Sequence, residues 1–232
     1  MRAWRALFER GDLGVGVDSA DRTVLFDKGA LAAHGYFLVD GAIEILQAGV
    51  DGTSVVVKIL RAETLFGAIE ALGDESHYLE TVRCLGAVRA VRMTSARLRQ
   101  IAAADAAACY EALVDVARAF CVTARFEPAR LATTEAMLAN VILAYTDVVG
   151  EDRGGARFMT VKRTQADLAA AIGAGERSVN RILAAWQECG AIVKEAARYG
   201  VLKRGFLEDT AGELVGSLVH HAGVSSATDP RG

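Results

Sequence analysis

Apolar and polar positions change rhythm along the 232-residue chain, and the changes divide it into three parts. The first part has short runs with strand-like alternation, separated by glycine turns. Arg22 to Phe26 ends in Asp27-Lys28-Gly29. Tyr36-Phe37-Leu38-Val39 is closed by Asp40-Gly41, and Ala42 to Leu46 forms the next run. Val50-Asp51-Gly52-Thr53 carries the Asp-Gly hairpin signal and leads into Ser54 to Leu60. Thr81 to Val91 is β-rich and broken at Leu85-Gly86. Strands this short and this closely spaced predict a jelly roll or barrel rather than βαβ units.

The middle takes a helical period. Thr94 can cap a helix carrying Leu98 and Ile101, and a longer helix starts near Asp105. Tyr110, Val114, Ala117, Cys121 and Ala124 step by four and three, the seam of a helix pair, and Leu113 and Phe120 widen it. Periodicity leaves two readings, a dimer helix or a helix lying on its own domain core. Pro128 should end or kink that helix near Glu127. Leu131 to Val149 reads as another helix, 150–157 as a loop with three glycines, and Ala191 to Lys194 with Tyr199 to Lys203 as a two-stranded wing. Regular patterning stops near Gly216, and the final residues are expected to lack order.

The stretch from Thr164 to Leu183 organises the third part. Thr164 can cap a helix, with Asp167 three residues on. Leu168 and Ile172 share one face, Ala169 is small where a second helix passes, and Gly173 supplies the positive φ of a sharp turn. The second helix turns Val179, Ile182 and Leu183 inward and Glu176, Arg177, Asn180 and Arg181 outward near its start. That is a helix-turn-helix layout, with the second helix placed to enter a DNA major groove. Arg pairs bidentately with guanine, Asn with adenine, and Glu accepts from cytosine. These four are the candidate base contacts, and Lys162, Arg163, Gln165 and Ser178 are candidate phosphate contacts. Taken alone, the stretch also fits a helical hairpin with a solvated polar face.

Composition adds to this. The chain is 52% hydrophobic, enough for a sizeable core, and its net charge is −3. From Glu151 to Gly205, however, ten Lys and Arg stand against six Asp and Glu, so the DNA-reading part is locally basic. Cys84, Cys109, Cys121 and Cys189 lack the close spacing of a zinc or iron–sulfur site, so no metal centre is expected. Four unpaired thiols suit a reducing cytoplasm. Met1 to Arg10 lacks the apolar core of a signal peptide, and no apolar run is long enough to span a membrane. There is no P-loop, metal motif or Ser/His/Asp constellation, so an enzyme is not expected.

In this order the elements resemble the cAMP receptor protein and fumarate–nitrate reduction regulator family of bacterial transcription factors, over about residues 20 to 215. The motifs are Thr164 to Leu183, ending Ser178-Val179-Asn180-Arg181-Ile182-Leu183, together with Lys28-Gly29, Tyr36 to Gly41 and Leu65-Phe66-Gly67. The resemblance implies an α+β protein with a double-stranded β-helix sensor (1–104), a dimerisation helix and hinge (105–132) and a winged helix-turn-helix (133–216); residues 217–232, which lack patterning, are expected to form a disordered tail. It also implies a homodimer on palindromic double-stranded DNA, with RNA polymerase as a further candidate partner. The chain departs from the family in the effector loop. Members that bind cyclic nucleotides have a Glu for the ribose and an Arg with a neighbouring Ser or Thr for the phosphate; here those positions are Ala68, Tyr78 and Leu79. A phosphate buried without a cation is heavily penalised, so cAMP is not expected. The candidate pocket for another small-molecule effector is Phe66, Gly67, Glu70, His77, Tyr78 and Arg83. His77 and His34 make haem conceivable, though a lone His is more often a core or surface residue. A cluster on N-terminal cysteines is not expected, because none precedes Cys84. Gly175-Glu176-Arg177 replaces the family's usual Ser-Arg-Glu, so the half-site should differ. A module that has lost DNA binding and only binds a small molecule or protein is the alternative.

Overall fold

The structure, a computed structural model, describes residues 1–48, 52–73, 75–129 and 132–220, without the side chains of 123–129 and 220. Val50 and Asp51 of the expected hairpin, the Ala124 side chain, residues 130 and 131 of the hinge, and 221–232 of the tail lie outside the described residues.

The chain opens with α1 (Arg2–Glu9), then β1 (Val15–Ser19), β2 (Val24–Phe26), β3 (His34–Ala48), β4 (Ser54–Arg61) and β5 (Thr64–Phe66). α2 (Ala68–Gly73), β6 (Thr81–Thr94) and α3 (Ser95–Ala104) complete the β-roll. Its strands run in the order β1-β6-β3-β4, with β2 on β6 and β5 on β3. β3 and β6 are single long strands where turns were expected at Asp40-Gly41 and Leu85-Gly86. Both glycines instead sit in the ladder at φ +86 and +83, and the β3–β6 register shifts on either side of Asp40. A bulge absorbs a glycine kink without ending the strand. At Gly41 a Cβ would lie 2.3 Å from the Ala87 carbonyl oxygen, so no other residue fits there. Up to Ala48 and Ser54, β3 and β4 pair antiparallel.

Thr94 caps α3 by accepting from the Arg97 amide. Asp105 then accepts from the Ala107 and Ala108 amides and starts α4 (Ala106–Ala129), which ends one residue past Pro128. Ala108, Ala112, Asp115 and Val122 of α4 are buried toward the β-roll. α1, unread from the sequence, is held by this helix. Trp4 is fully buried and its Nε1 donates to the Ala108 carbonyl, while Glu111 accepts from the Arg2 and Ala3 amides.

α5 (Thr134–Val149) starts at Thr133, whose side chain accepts from Ala136, and is buried at every position from Met137 to Thr146. A helix buried all round must be packed on all sides. On one side of α5 is the β-roll, and on the other is the rest of the C-terminal domain: β7 (Gly150–Arg153), β8 (Ala156–Met159), α6 (Gln165–Ile172), α7 (Glu176–Glu188), β9 (Ile192–Glu195), β10 (Arg198–Val201) and α8 (Arg204–Ala211). One apolar cluster therefore runs unbroken from Ile43 and Ile59 through Leu138, Ile142 and Tyr145 to Leu168 and Leu183.

Two corrections arise in this half. Residues 150–157 were expected as a loop, but they form the β7–β8 hairpin turned at Gly154-Gly155, with φ +59 and +81. The wing is thus a sheet in the order β7-β8-β10-β9. Residues 217–220 were assigned to an unordered tail, but Ser217, Leu218 and Val219 are buried. Val219–His220 forms β11, parallel to β4, and Ile59 N donates to the Leu218 carbonyl at 2.7 Å. The signal was missed because Leu218-Val219 is too short to show a period. No described helix is long and apolar enough to cross a membrane.

Candidate nucleic-acid interface and effector pocket

α6 begins with a complete capping box. Thr164 Oγ1 accepts from Asp167 N at 3.1 Å, and Asp167 Oδ2 accepts from Thr164 N at 2.6 Å. Gly173 closes it at φ +65, its amide donating to the Ala169 and Ala170 carbonyls. α7 leaves at once from Gly175, whose lack of a side chain leaves the helix without a side-chain cap. Val179, Leu183 and Trp186 are buried and fix its rotation, and Ile182 packs at the edge of the core. Trp186 Nε1 donates to Glu135 of α5, which ties the two helices together.

That rotation sends Glu176, Arg177 and Arg181 to solvent. Neither arginine has an ion-pair or hydrogen-bond partner among the described residues. Asn180, on the flank, is half-buried, and its Oδ1 is covered and has no hydrogen-bond partner among the described residues. Ser178 is half-buried in the first turn. Lys162 is exposed with its ammonium unpaired among the described residues, and Gln165 is half-exposed.

Arg163 departs from expectation. It is buried and grips Asp21 of the β1–β2 turn through both terminal nitrogens at 2.9 and 3.0 Å, so in this pose it does not face a phosphate. It belongs to an interdomain network that the sequence reading missed. Arg22 Nη2 donates to Asp167 Oδ2 at 2.5 Å and to the Lys162 carbonyl at 3.3 Å. Glu44, fully buried, accepts from Arg83 at 2.8 Å and from the Tyr145 hydroxyl at 2.5 Å. Burial, with Glu44 beside it, raises the Tyr145 phenol well above its ordinary pKa, so Tyr145 is the proton donor of that bond. Burial pulls the Asp21 and Asp167 carboxyls upward, but Arg163 and the Gly86 amide outweigh it at Asp21, and Arg22 and Thr164 at Asp167. Both carboxyls end below their ordinary value. The sequence signal was a charge inside Ile43-Glu44-Ile45. Period-two alternation puts Glu44 on the outer face of the roll, and only the fold shows that α5 covers that face.

The expected effector residues separate into different places. Phe66, Gly67 and Glu70 line a cavity of about 40 Å³ beneath α2, with Lys58, Glu80 and Asp115 as its other charged walls. Lys58 pairs with Glu80 at 3.6 Å, Glu70 accepts from the Leu79 amide at 3.1 Å, and Asp115 accepts from the Leu65 amide at 2.8 Å. Tyr78 stacks on Phe26 with centroids 3.7 Å apart, inside a group completed by Tyr36 and Phe66. Its hydroxyl donates to the His34 carbonyl. His77 is exposed and bridges Leu31, away from this cavity's lining, and Arg83 lies at the domain interface. Among the described residues no group of His, Cys, Asp or Glu is arranged to hold a metal ion.

On α4, Tyr110, Leu113 and Phe120 are 67, 64 and 71% exposed. Ala117 and Cys121 are exposed beside them and Val114 is half-buried, so the stripe points away from its own domain core. Cys109 and Cys189 are also exposed, whereas burial pushes the Cys84 thiol up to about 11.

Residues 19–105 match the cyclic nucleotide-binding domain, and residues 137–210 match the Crp-like helix-turn-helix domain. A comparison with curated proteins found no match. Among solved structures, a CRP-family transcriptional regulator of Thermus thermophilus superposes with a TM-score of 0.73 at 18% identity, covering 89% of this chain and all of that one. CLP of Xanthomonas campestris, a c-di-GMP responsive global regulator, gives 0.69 at 18% identity over 85 and 98% of the two chains. FixK2 of Bradyrhizobium japonicum gives 0.66 at 14% identity over 86 and 98%.

Proposed function

We propose that this chain, a member of the Crp/Fnr family of transcription regulators, reads a palindromic DNA site as a homodimer through the N-terminal end of α7. The observation that carries the reading is the pair Arg177 and Arg181. They lie four apart on the exposed face of a helix fixed by a buried opposite face, and no partner among the described residues occupies their guanidiniums. Unpaired arginines at the start of a recognition helix suit bidentate contacts to guanine. Glu176 joins them directly, and Asn180 does so once its side chain turns outward. Lys162, Gln165 and Ser178 fit phosphates, and Arg163 instead holds the domain pose. Two-fold symmetry is supported by the bare apolar stripe of α4, a patch that a monomer would leave in water. A palindromic site follows from that symmetry, and contact with RNA polymerase and a cytoplasmic location follow from the role.

The sensor is proposed to bind no cAMP in the family's usual manner. Tyr78 stands where the phosphate-pairing Arg would be, the cavity beneath α2 is about 40 Å³, and its charged lining is three carboxylates and one lysine. Such a wall repels a phosphate. Regulation would act through the pose of the DNA-binding domain against the β-roll.

The test is selection of genomic fragments by the purified full chain at physiological salt, followed by sequencing. Enrichment of one palindrome is the expected result. No enrichment by a folded dimer, with or without cell extract, would replace this reading with that of a module that no longer reads DNA.

A further inference from the structure

We propose that the cleft between the β-roll and the DNA-binding domain is a binding site for a small phosphate-type oxyanion. A cavity of about 230 Å³ lies there, lined by Arg22, Ser54, Arg83, Arg163, Asp167 and Ala170. A water's share of liquid volume is about 30 Å³, so the space exceeds that of a single solvent molecule several-fold. It is separate from the cavity beneath α2 and shares no lining residue with it.

Three guanidiniums face the cleft, each with a carboxylate partner: Arg22 with Asp167, which also lines the cleft, and Arg163 and Arg83 with Asp21 and Glu44, which stand outside the lining. The protein bonds also leave donors over. Arg22 Nη1, Arg83 Nη1 and Arg163 Nε have no hydrogen-bond partner among the described residues, and neither does the Ser54 hydroxyl. Guanidiniums are weakly hydrated planar forks that suit the oxygens of phosphate. Arg22 also sits at φ +68, a left-handed conformation that a non-glycine residue adopts at a cost. Held strain of this kind gathers at ligand clamps. Here it belongs to the residue that reaches across to the other domain.

The lining comes from both domains. Arg22, Ser54 and Arg83 belong to the β-roll; Arg163, Asp167 and Ala170 belong to the helix-turn-helix. An anion bound among them bridges the two and favours this docked pose over any pose in which the cleft is open. The inference does not require that the chain reads DNA.

The experiment is isothermal titration of the full chain, at fixed ionic strength in chloride, with inorganic phosphate, a nucleoside 5′-monophosphate and the parent nucleoside. The expected result is saturable binding of one phosphate-bearing ligand per chain and none of the nucleoside. Equal affinity for both phosphates assigns the free ion, and tighter binding of the ester assigns an organic phosphate. Arg22→Gln should weaken binding at least ten-fold. Ser54→Glu, a surface change that leaves every ion pair in place, should abolish it by setting a carboxylate in the cleft, while circular dichroism stays as in the parent. No saturable binding of either phosphate would overturn the proposal. Binding undiminished in both variants would do the same, since it would place the anion elsewhere.

Discussion

Glu44 and Tyr145 show how one buried pair can set the stability of the docked form. Glu44 has no exposed surface and depends on Arg83 and the Tyr145 hydroxyl for its hydrogen bonds. Removing one donor leaves a buried charge under-solvated, and a hydrogen bond to a charged group contributes about 1.5–3 kcal/mol. Tyr145→Phe should therefore lower unfolding stability by that amount in urea titrations. The double variant with Glu44→Gln should recover part of the loss, because the neutral amide needs less compensation. A Tyr145→Phe protein as stable as the parent would show that the bond contributes nothing. The same scale governs DNA readout, where specificity and affinity separate. Arg181→Ala should lose discrimination at one base pair per half-site, by roughly 1–3 kcal/mol. Lys162→Ala should weaken all sequences alike and reduce the salt slope by about one ion. Quantitative binding to specific and scrambled duplexes at several salt concentrations separates the two. Equal losses on both duplexes for Arg181→Ala would remove it from base readout.

At the scale of elements, local chemistry decided what the sequence revealed. The helix-turn-helix was legible because the capping box of Thr164 and Asp167 and the αL turn at Gly173 bracket α6, and an apolar helical period resumes at once in α7. Glycine was harder to interpret. Gly41 and Gly86 look like turn residues, yet each takes positive φ within a continuing ladder, whereas Gly154-Gly155, read as loop, forms a tight hairpin. Flanking residues alone do not distinguish a bulge from a turn; the partner strand does. α4 is the converse case, since its period left two readings and the structure places one face on its own core and leaves the other in water. Ala108, Ala112 and Val122 lie on the core, and Tyr110, Leu113 and Phe120 face water. If the outer face pairs two protomers, Leu113→Glu with Phe120→Glu should convert a dimer to a monomer in sedimentation or light scattering. The melting temperature of the β-roll should change little, because neither side chain touches its core. A variant that sediments like the parent would place the dimer contact elsewhere.

The whole molecule holds what the sequence could not display, the docking of one domain on the other. Nothing in Asp21-Arg22 or Lys162-Arg163 marks them as partners, because Arg163 and Asp21 stand 142 positions apart and only the packing of one domain on the other brings them together. The contact has an acid limit with a definite sign. Asp21 and Asp167 have folded pKa values depressed below the ordinary 3.8, by Arg163 and the Gly86 amide and by Arg22 and Thr164, against the opposing pull of burial. A carboxyl depressed on folding adds stability that is complete above its unfolded pKa and disappears as pH falls through its folded one. Docking should thus be indifferent to pH from neutrality down to about 5 and weaken below about 4. Small-angle scattering through that range should show the parent opening before its secondary structure is lost. Asp21→Asn with Asp167→Asn should be looser at neutral pH and show a smaller further change on acidification, since the charges that titrate have been removed. A parent that opened near pH 6, or a double variant with the parent's acid profile, would assign the transition to other groups. The domains would then be held mainly by the shared apolar core and by β11, clasped to β4 on the far side.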